Sequence, residues 1–181
     1  MATKPHYEGR NDIEELKDSK GWLLKPGALN IVWGNDNRYW SMPTGSGTRQ
    51  EEAAKLLQVC WLEVTGSTKN PLSKGKKYGI SFTIELMDGA FGWHGCPVFM
   101  MAKIGKKGKY RWQKSDLSSL PKNQKLEIPL KTSENKYPFT IDVNPSEDDP
   151  VLYFGLYEVW TGKWKGGLNI YQAKIEEISS T

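Results

Sequence analysis

The chain has 181 residues, of which 38% are hydrophobic and 25% charged, and its formal net charge is +4. This composition suits one globular domain with a core of its own. It excludes a membrane-spanning helix, because no stretch approaches about 18 consecutive apolar residues. The N-terminus lacks an apolar segment, so we expect no secretory signal. Cys60 and Cys96 give no disulfide framework, and we expect both thiols to be reduced in a cytosolic compartment.

Residues 1–27 differ in pattern from the rest of the chain and are predicted to be an N-terminal extension. Residues 12–18 have the pattern of a short helix, and the turn signal Lys25-Pro26-Gly27 ends it. The main domain is then predicted to span residues 28–181, with its first strand over residues 28–33.

A second helix is predicted over residues 50–58, after a loop of small residues. Thr48 and Glu51 have the spacing of a capping box, and the apolar residues after them fall on one helical face. The sequence therefore predicts one or two short helices.

The rest of the chain has the period of β-structure. From Tyr78 to Met87 apolar side chains occupy every second position, and Asp88-Gly89 is expected to end this strand. Further strands are predicted at 59–64, 97–104, 110–113, 126–130, 139–143, 151–160 and 169–178. Many short strands without an alternating βαβ pattern predict an all-β fold, an antiparallel β-sandwich of jelly-roll type.

Residues for catalysis and for metal binding are scarce. The two histidines, His6 and His94, have no zinc-ligand spacing with Cys96, and neither a serine-nucleophile elbow nor a phosphate-binding loop occurs. We expect no catalytic residue, no metal and no cofactor. A glycoside hydrolase stays open as an alternative, because two carboxylates can meet across strands.

Aromatic residues are the first candidates for binding. The chain has 8 Trp, 8 Tyr and 5 Phe, and Trp33 ends the first predicted strand shortly before the pair Tyr39-Trp40. An indole beside polar groups can stack on the apolar face of a sugar ring. The alternative is core packing, since tryptophan is highly buried on average.

Glu158 interrupts the apolar alternation of the strand over residues 151–160. A carboxylate there can accept charge-assisted bonds from sugar hydroxyls, or it can belong to a structural ion pair. Trp164, beside Lys165, is predicted to lie either in the core or at the lip of the site. Trp61 stands inside an apolar strand and is predicted to be core.

Residues 103–125 form a basic segment with Asp116 as its single acidic residue. Its basic residues are Lys103, Lys106, Lys107, Lys109, Arg111, Lys114, Lys122 and Lys125. They are typical of a solvated strand edge. Alternatively they form a weak RNA-binding patch in which Tyr110 and Trp112 stack on bases.

Four stretches together carry a resemblance to a known family. They are Ile31-Val-Trp-Gly with Arg38-Tyr-Trp, then residues 54–66, then Leu72-Ser-x-Gly-x-x-Tyr78, and finally Phe154-Gly-Leu-Tyr-Glu158 with residues 163–168. In this order and spacing, residues 28–178 resemble the phloem protein 2 (phloem lectin) domain of plants, which includes the Nictaba-related lectins.

The resemblance implies a cytosolic or nucleocytoplasmic lectin that binds N-acetylglucosamine oligomers, such as chitin fragments and N-glycan cores on glycoproteins. It implies a soluble homodimer of the phloem sap, and some members associate with RNA. The family's sugar-binding residues fall on Trp33, Trp40 and Glu158, and we add Tyr39, Trp164 and Lys165 as neighbours. Some members have a second glutamate where this chain has Val151.

Overall fold

The computed structural model describes residues 4–10, 13–16, 20–43 and 52–178. Within these ranges the chain forms thirteen strands and no α-helix. The helical elements of these described residues are two short 3-10 helices, Pro26–Ala28 and Leu117–Ser119. None of the described helical segments has the length and apolar character needed to cross a membrane.

The described strands form two antiparallel sheets, which confirms the predicted all-β sandwich. The larger sheet contains β1 (Ile13–Glu15), β2 (Gly21–Leu24), β4 (Trp40–Ser41), β5 (Ala54–Leu56), β7 (Lys77–Phe91), β10 (Lys125–Ile128), β11 (Thr140–Asp142) and β13 (Gly166–Ile178). The smaller sheet has the order β3-β6-β12-β8-β9, with β3 (Asn30–Ile31), β6 (Leu62–Ser67), β8 (Val98–Ile104), β9 (Arg111–Ser115) and β12 (Leu152–Glu158).

The core lies between the two sheets, and the two-residue repeat of the strands determines which side chains enter it. Phe82 of β7 and Phe154 of β12 meet across it, with ring centroids 5.9 Å apart. Along β8 every second side chain is buried, while Phe99 and Met101 point to the opposite face. The smaller sheet therefore has an outer face that carries large apolar residues.

Both predicted helices are wrong where the structure describes them. Residues 13–15 form β1, paired with β2, and Ala54–Leu56 forms β5 between β4 and β13. For residues 54–56, backbone hydrogen bonding to β13 is favoured over the predicted helix, because an isolated helix of about nine residues is only marginally stable. Thr48 and Glu51 of the expected capping box lie outside the described residues.

The end of β7 and the role of residues 21–24 also differ from the prediction. Asp88-Gly89 does not end β7, which continues to Phe91 because β13 pairs with it as far as Gly166. Within the predicted extension, β2 pairs with β13, and the side chain of Leu24 is fully buried. Residues 21–24 thus contribute to the sheet and to the core.

Candidate functional site

Four aromatic rings follow one another in a chain of ring contacts. The ring centroids of His6 and Trp33 are 5.1 Å apart, those of Trp33 and Tyr39 are 5.7 Å apart, and those of Tyr39 and Trp164 are 6.2 Å apart. Tyr39 and Trp164 are stacked, whereas the other two contacts are edge-to-face. We call these four residues the ring row. Its tryptophans are accessible, since Trp33 is 37% and Trp164 is 51% exposed.

A turn after β3 holds Trp33 out of the core. Trp33 has φ of 65°, a left-handed conformation that is uncommon for a bulky residue. Its backbone N–H donates to Nδ1 of His6 at 2.9 Å. The backbone of Tyr7 pairs with Ile31, which places His6 beside the turn. Such backbone strain persists only where surrounding contacts fix it, and it is often found at functional sites.

An ion pair lies next to the central ring. The Arg38 guanidinium binds the Asp36 carboxylate at 2.7 Å, and its central carbon lies 5.1 Å from the Tyr39 ring centroid. The hydrogen bonds from Arg38 lower the pKa of Asp36 from 3.8 to about 2. Arg38 therefore stays paired at neutral pH and covers part of Tyr39 as a fixed polar group.

Trp164 belongs to the loop of residues 159–165, which a buried ion pair closes at its base. Glu158, the last residue of β12, binds the Lys165 ammonium, and both side chains are buried. The Thr161 N–H and hydroxyl donate to the two carboxylate oxygens of Glu158 at 3.1 and 2.9 Å. Lys165 also donates to the carbonyls of Cys60 and Lys163 at 3.2 and 2.9 Å. Every oxygen of the carboxylate is thus occupied within the protein.

Burial alone would raise the pKa of the Glu158 carboxyl. The hydrogen bonds from Lys165 and Thr161 outweigh that effect, and the pKa lies below the ordinary value of 4.5. Glu158 is therefore ionised at neutral pH and holds the loop through its partners.

The backbone of the loop packs tightly on the end of β7. A Cβ built on Gly92 would lie 2.1 Å from the Trp164 carbonyl oxygen, and Gly92 has φ of +82°. Only glycine tolerates both the conformation and the close approach. Gly92 and the backbone bridge between Val59 and Lys165 fix where Trp164 lies.

The structure brings together three of the six predicted site residues on the surface, namely Trp33, Tyr39 and Trp164. Trp40 requires a correction. It is 1% exposed because β4 turns its ring into the core, so it presents no face to a sugar. Glu158 and Lys165 are also buried, and they form the structural ion pair that the sequence left open as an alternative.

Trp61 requires the opposite correction, since it is 45% exposed rather than core. Leu62 and Val64 of β6 face the interior, and the side chain of Trp61, one position before Leu62, faces outward. Sequence reasoning missed His6 and Arg38. The only available signal was that Arg38 stands beside an aromatic pair and two residues after an aspartate.

No group of three or more His, Cys, Asp or Glu side chains suited to a metal ion occurs in the parts of the chain that the structure describes. The described site therefore consists of aromatic faces, one exposed ion pair and one buried ion pair. Such a surface can bind and orient a ligand by stacking and hydrogen bonding.

Comparison with known proteins shows the family of the chain. The family model for phloem protein 2 matches residues 19–176. The Arabidopsis thaliana protein PHLOEM PROTEIN 2-LIKE A9 is 40% identical over 96% of this chain and 96% of its own length. A lectin of Luffa acutangula is 35% identical over 51% of this chain and 44% of its own length.

Among solved structures, a GH26-CBM35 β-(1,4)-mannanase of Podospora anserina is similar in fold. It superposes with a TM-score of 0.53 over 91% of this chain and 29% of the mannanase chain, at 8% sequence identity. The family match extends over most of the chain. The chain belongs to the phloem protein 2 family.

Proposed function

We propose that the chain is a non-enzymatic lectin that binds N-acetylglucosamine oligomers at the ring row. The observation that carries the proposal is that Trp33 and Trp164 both contact Tyr39 and that both indoles are accessible. Core packing does not explain indoles with open faces. The named lectin of Luffa acutangula among the relatives supports the same class of function.

The chemistry of the row suits a neutral sugar chain. The C–H faces of sugar rings pack against aromatic faces, while hydroxyls and acetamido groups bond to neighbouring polar groups. Arg38, already paired with Asp36, offers N–H donors without an uncompensated charge. A shallow surface of this kind predicts a Kd of roughly micromolar to millimolar for a di- or trisaccharide, or about −4 to −8 kcal/mol.

Titration calorimetry with chitotriose tests the proposal on Trp33→Ala and Trp164→Ala. Each variant is expected to weaken binding about tenfold, or 1.4 kcal/mol, with the fold unchanged. Trp61→Ala is the matched control, because Trp61 is also about half exposed but stands outside the row. Equal affinities in all three variants would refute the ring row as the site. Product analysis after prolonged incubation distinguishes a lectin from a hydrolase.

The proposal extends to assembly and location. A weak site gains about 10²–10⁴-fold in avidity when it is doubled, and family membership supports a soluble protein of the cytoplasm and phloem sap. We propose a non-covalent homodimer with one ring row in each subunit. Equilibrium sedimentation with and without reductant tests it. A dimer that forms only without reductant would instead implicate Cys60 or Cys96.

RNA binding by the basic segment is the alternative function. The observation in its favour is that the Lys103 ammonium lies 4.8 Å from the ring centroid of Tyr110, which is 44% exposed. A cation beside an accessible ring suits a phosphate next to a stacked base. We expect such binding to be weak and non-specific.

A further inference from the structure

A groove separate from the ring row lies on the outer face of the smaller sheet. Its volume is about 470 Å³, within the roughly 300–1,000 Å³ range of small-molecule sites. It is lined by Pro97, Phe99, Met101, Trp112, Glu158, Trp160 and Thr161. No sugar-binding role was expected for Trp112 or Trp160.

Three aromatic rings shape this groove. The Phe99 ring centroid is 4.8 Å from that of Trp160, at an interplanar angle of 69°, and 5.6 Å from that of Trp112, at 57°. Phe99 is thus in contact with both indoles, and each indole is steeply inclined to it. Trp112 is 60% and Trp160 is 59% exposed. Two accessible indoles in contact with a common ring form an apolar patch, and exposed apolar patches can mark ligand-binding grooves.

The groove is neutral, although Glu158 contributes to its lining. Its carboxylate is buried and paired with Lys165, and Thr161 donates to both oxygens. Among the described residues, no other one that lines the groove is charged. A charged ligand would lose its hydration there without gaining a partner, so the groove favours a neutral ligand.

We propose that this groove is a second carbohydrate site of the same chain, specific for neutral N-acetylated oligosaccharides. The ligand class rests on the proposed lectin function. Sugar rings stack on Trp112 and Trp160, and acetamido methyl groups contact the apolar surface of Met101 and Pro97. The Thr161 hydroxyl donates to Glu158 and accepts from the Lys163 N–H, so the contacts in the groove are mainly apolar and stacking contacts.

The loop of residues 159–165 links the groove to the ring row. Trp160 at one end of this loop contacts Phe99 in the groove, and Trp164 at the other end stacks on Tyr39 in the row. A single loop thereby supplies one indole to each surface. A chain with both surfaces is bivalent without a second subunit.

Fluorine NMR on protein labelled with 5-fluorotryptophan tests the inference during a chitotriose titration. The chain has 8 tryptophans, and single Trp→Phe variants assign their signals. Trp112 is the decisive reporter, because it lies on β9 and outside the shared loop. Its signal is expected to shift along a saturable curve. The signals of buried Trp40 and Trp93 are expected to stay in place and to report an intact fold.

The outcomes separate this inference from the proposed function. Shifts at Trp33 and Trp164 without a shift at Trp112 would overturn the groove and leave the ring row as the site. A shift at Trp112 without one at Trp33 would support the groove and overturn the ring row. An absence of any shift would overturn both.

Calorimetry provides a second, independent measurement. The wild-type chain is expected to bind two chitotriose molecules and Trp112→Ala one, whereas Trp61→Ala, the control, keeps two. The fully deacetylated trimer carries positive charge and is expected to leave the Trp112 signal unshifted. Equal shifts by the two trimers would overturn the claimed neutral specificity.

Discussion

Replacing Glu158 with glutamine tests the role that the structure gives to the buried ion pair. The substitution keeps the shape of the side chain and removes its charge. Direct contact with sugar would predict weaker binding and an unchanged melting temperature. Pairing with Lys165 instead predicts a loss of stability, because the ammonium stays buried without its counter-ion.

The magnitude depends on the groups that remain around Lys165. Removing one partner of a buried ion pair typically costs about 3–5 kcal/mol. The carbonyls of Cys60 and Lys163 still accept from the ammonium, so we expect the lower end, about 3 kcal/mol. For a chain of this length the loss corresponds to a fall in melting temperature of about 6–12 °C.

The loss is also expected to depend on pH with a defined sign. The folded-state pKa of Glu158 lies below its ordinary value of 4.5, so below pH 4.5 the unfolded state takes up the proton first. The stability from ionised Glu158 is therefore complete above that pH and is lost as the pH falls through the folded pKa. Glutamine does not titrate. The difference between wild type and Glu158→Gln should be greatest at neutral pH and should shrink below pH 4.5.

Urea unfolding between pH 3 and pH 7 measures both the size and the sign. Asp142→Asn is the control, because Asp142 forms an exposed pair with Lys77 at 3.8 Å, and such pairs contribute about 0–1 kcal/mol. A Glu158→Gln variant as stable as this control, with weakened chitotriose binding, would refute the positioning role and restore direct sugar contact.

Three other variants test separate parts of the structure. Gly92→Ala should displace Trp164 and lower both the melting temperature and chitotriose affinity, because the new Cβ meets a backbone carbonyl; unchanged values would refute the close approach. Trp40→Ala should cost about 3–5 kcal/mol of stability in urea unfolding, and a folded variant that lost only sugar binding would return Trp40 to the site. Replacing the lysines of residues 106–109 with serine should leave chitotriose binding intact and weaken RNA binding. RNA affinity should also fall as the salt concentration rises, because phosphate contacts displace counterions. Tight, sequence-selective RNA binding that this variant abolished would favour the alternative function.

The fold was predictable because its strong signal is local. The alternation from Tyr78 onward has a period of two, and residues 98–104 are a short apolar run. They became β7 and β8, of which β7 is buried on both faces over residues 78–82 and β8 on one face. Residues 13–15 and 54–56 have short, weak patterns that suit either a helix or a strand. Both segments are strands because the first pairs with β2 and the second with β13. The sequence does not show which strands lie next to each segment in the fold.

The site was predictable in its residue types but not in their orientation. Trp33 and Trp40 are seven residues apart, and the turn between them exposes the first indole and buries the second. That difference depends on the left-handed backbone at Trp33, which no side-chain pattern encodes. Glu158 and Lys165 did carry a signal. Opposite charges at the two ends of one loop between strands are suited to pair across its base.

The buried ion pair makes the two aromatic surfaces dependent on one element. Glu158→Gln loosens the base of the loop that carries both Trp160 and Trp164, so it should weaken the ring row and the groove together. Trp112→Ala should affect the groove alone, because Trp112 lies on β9. A coupled loss in the first variant and a selective loss in the second would be inconsistent with two independently positioned sites. That pattern would identify the loop as the element that sets the geometry of sugar binding on both sides.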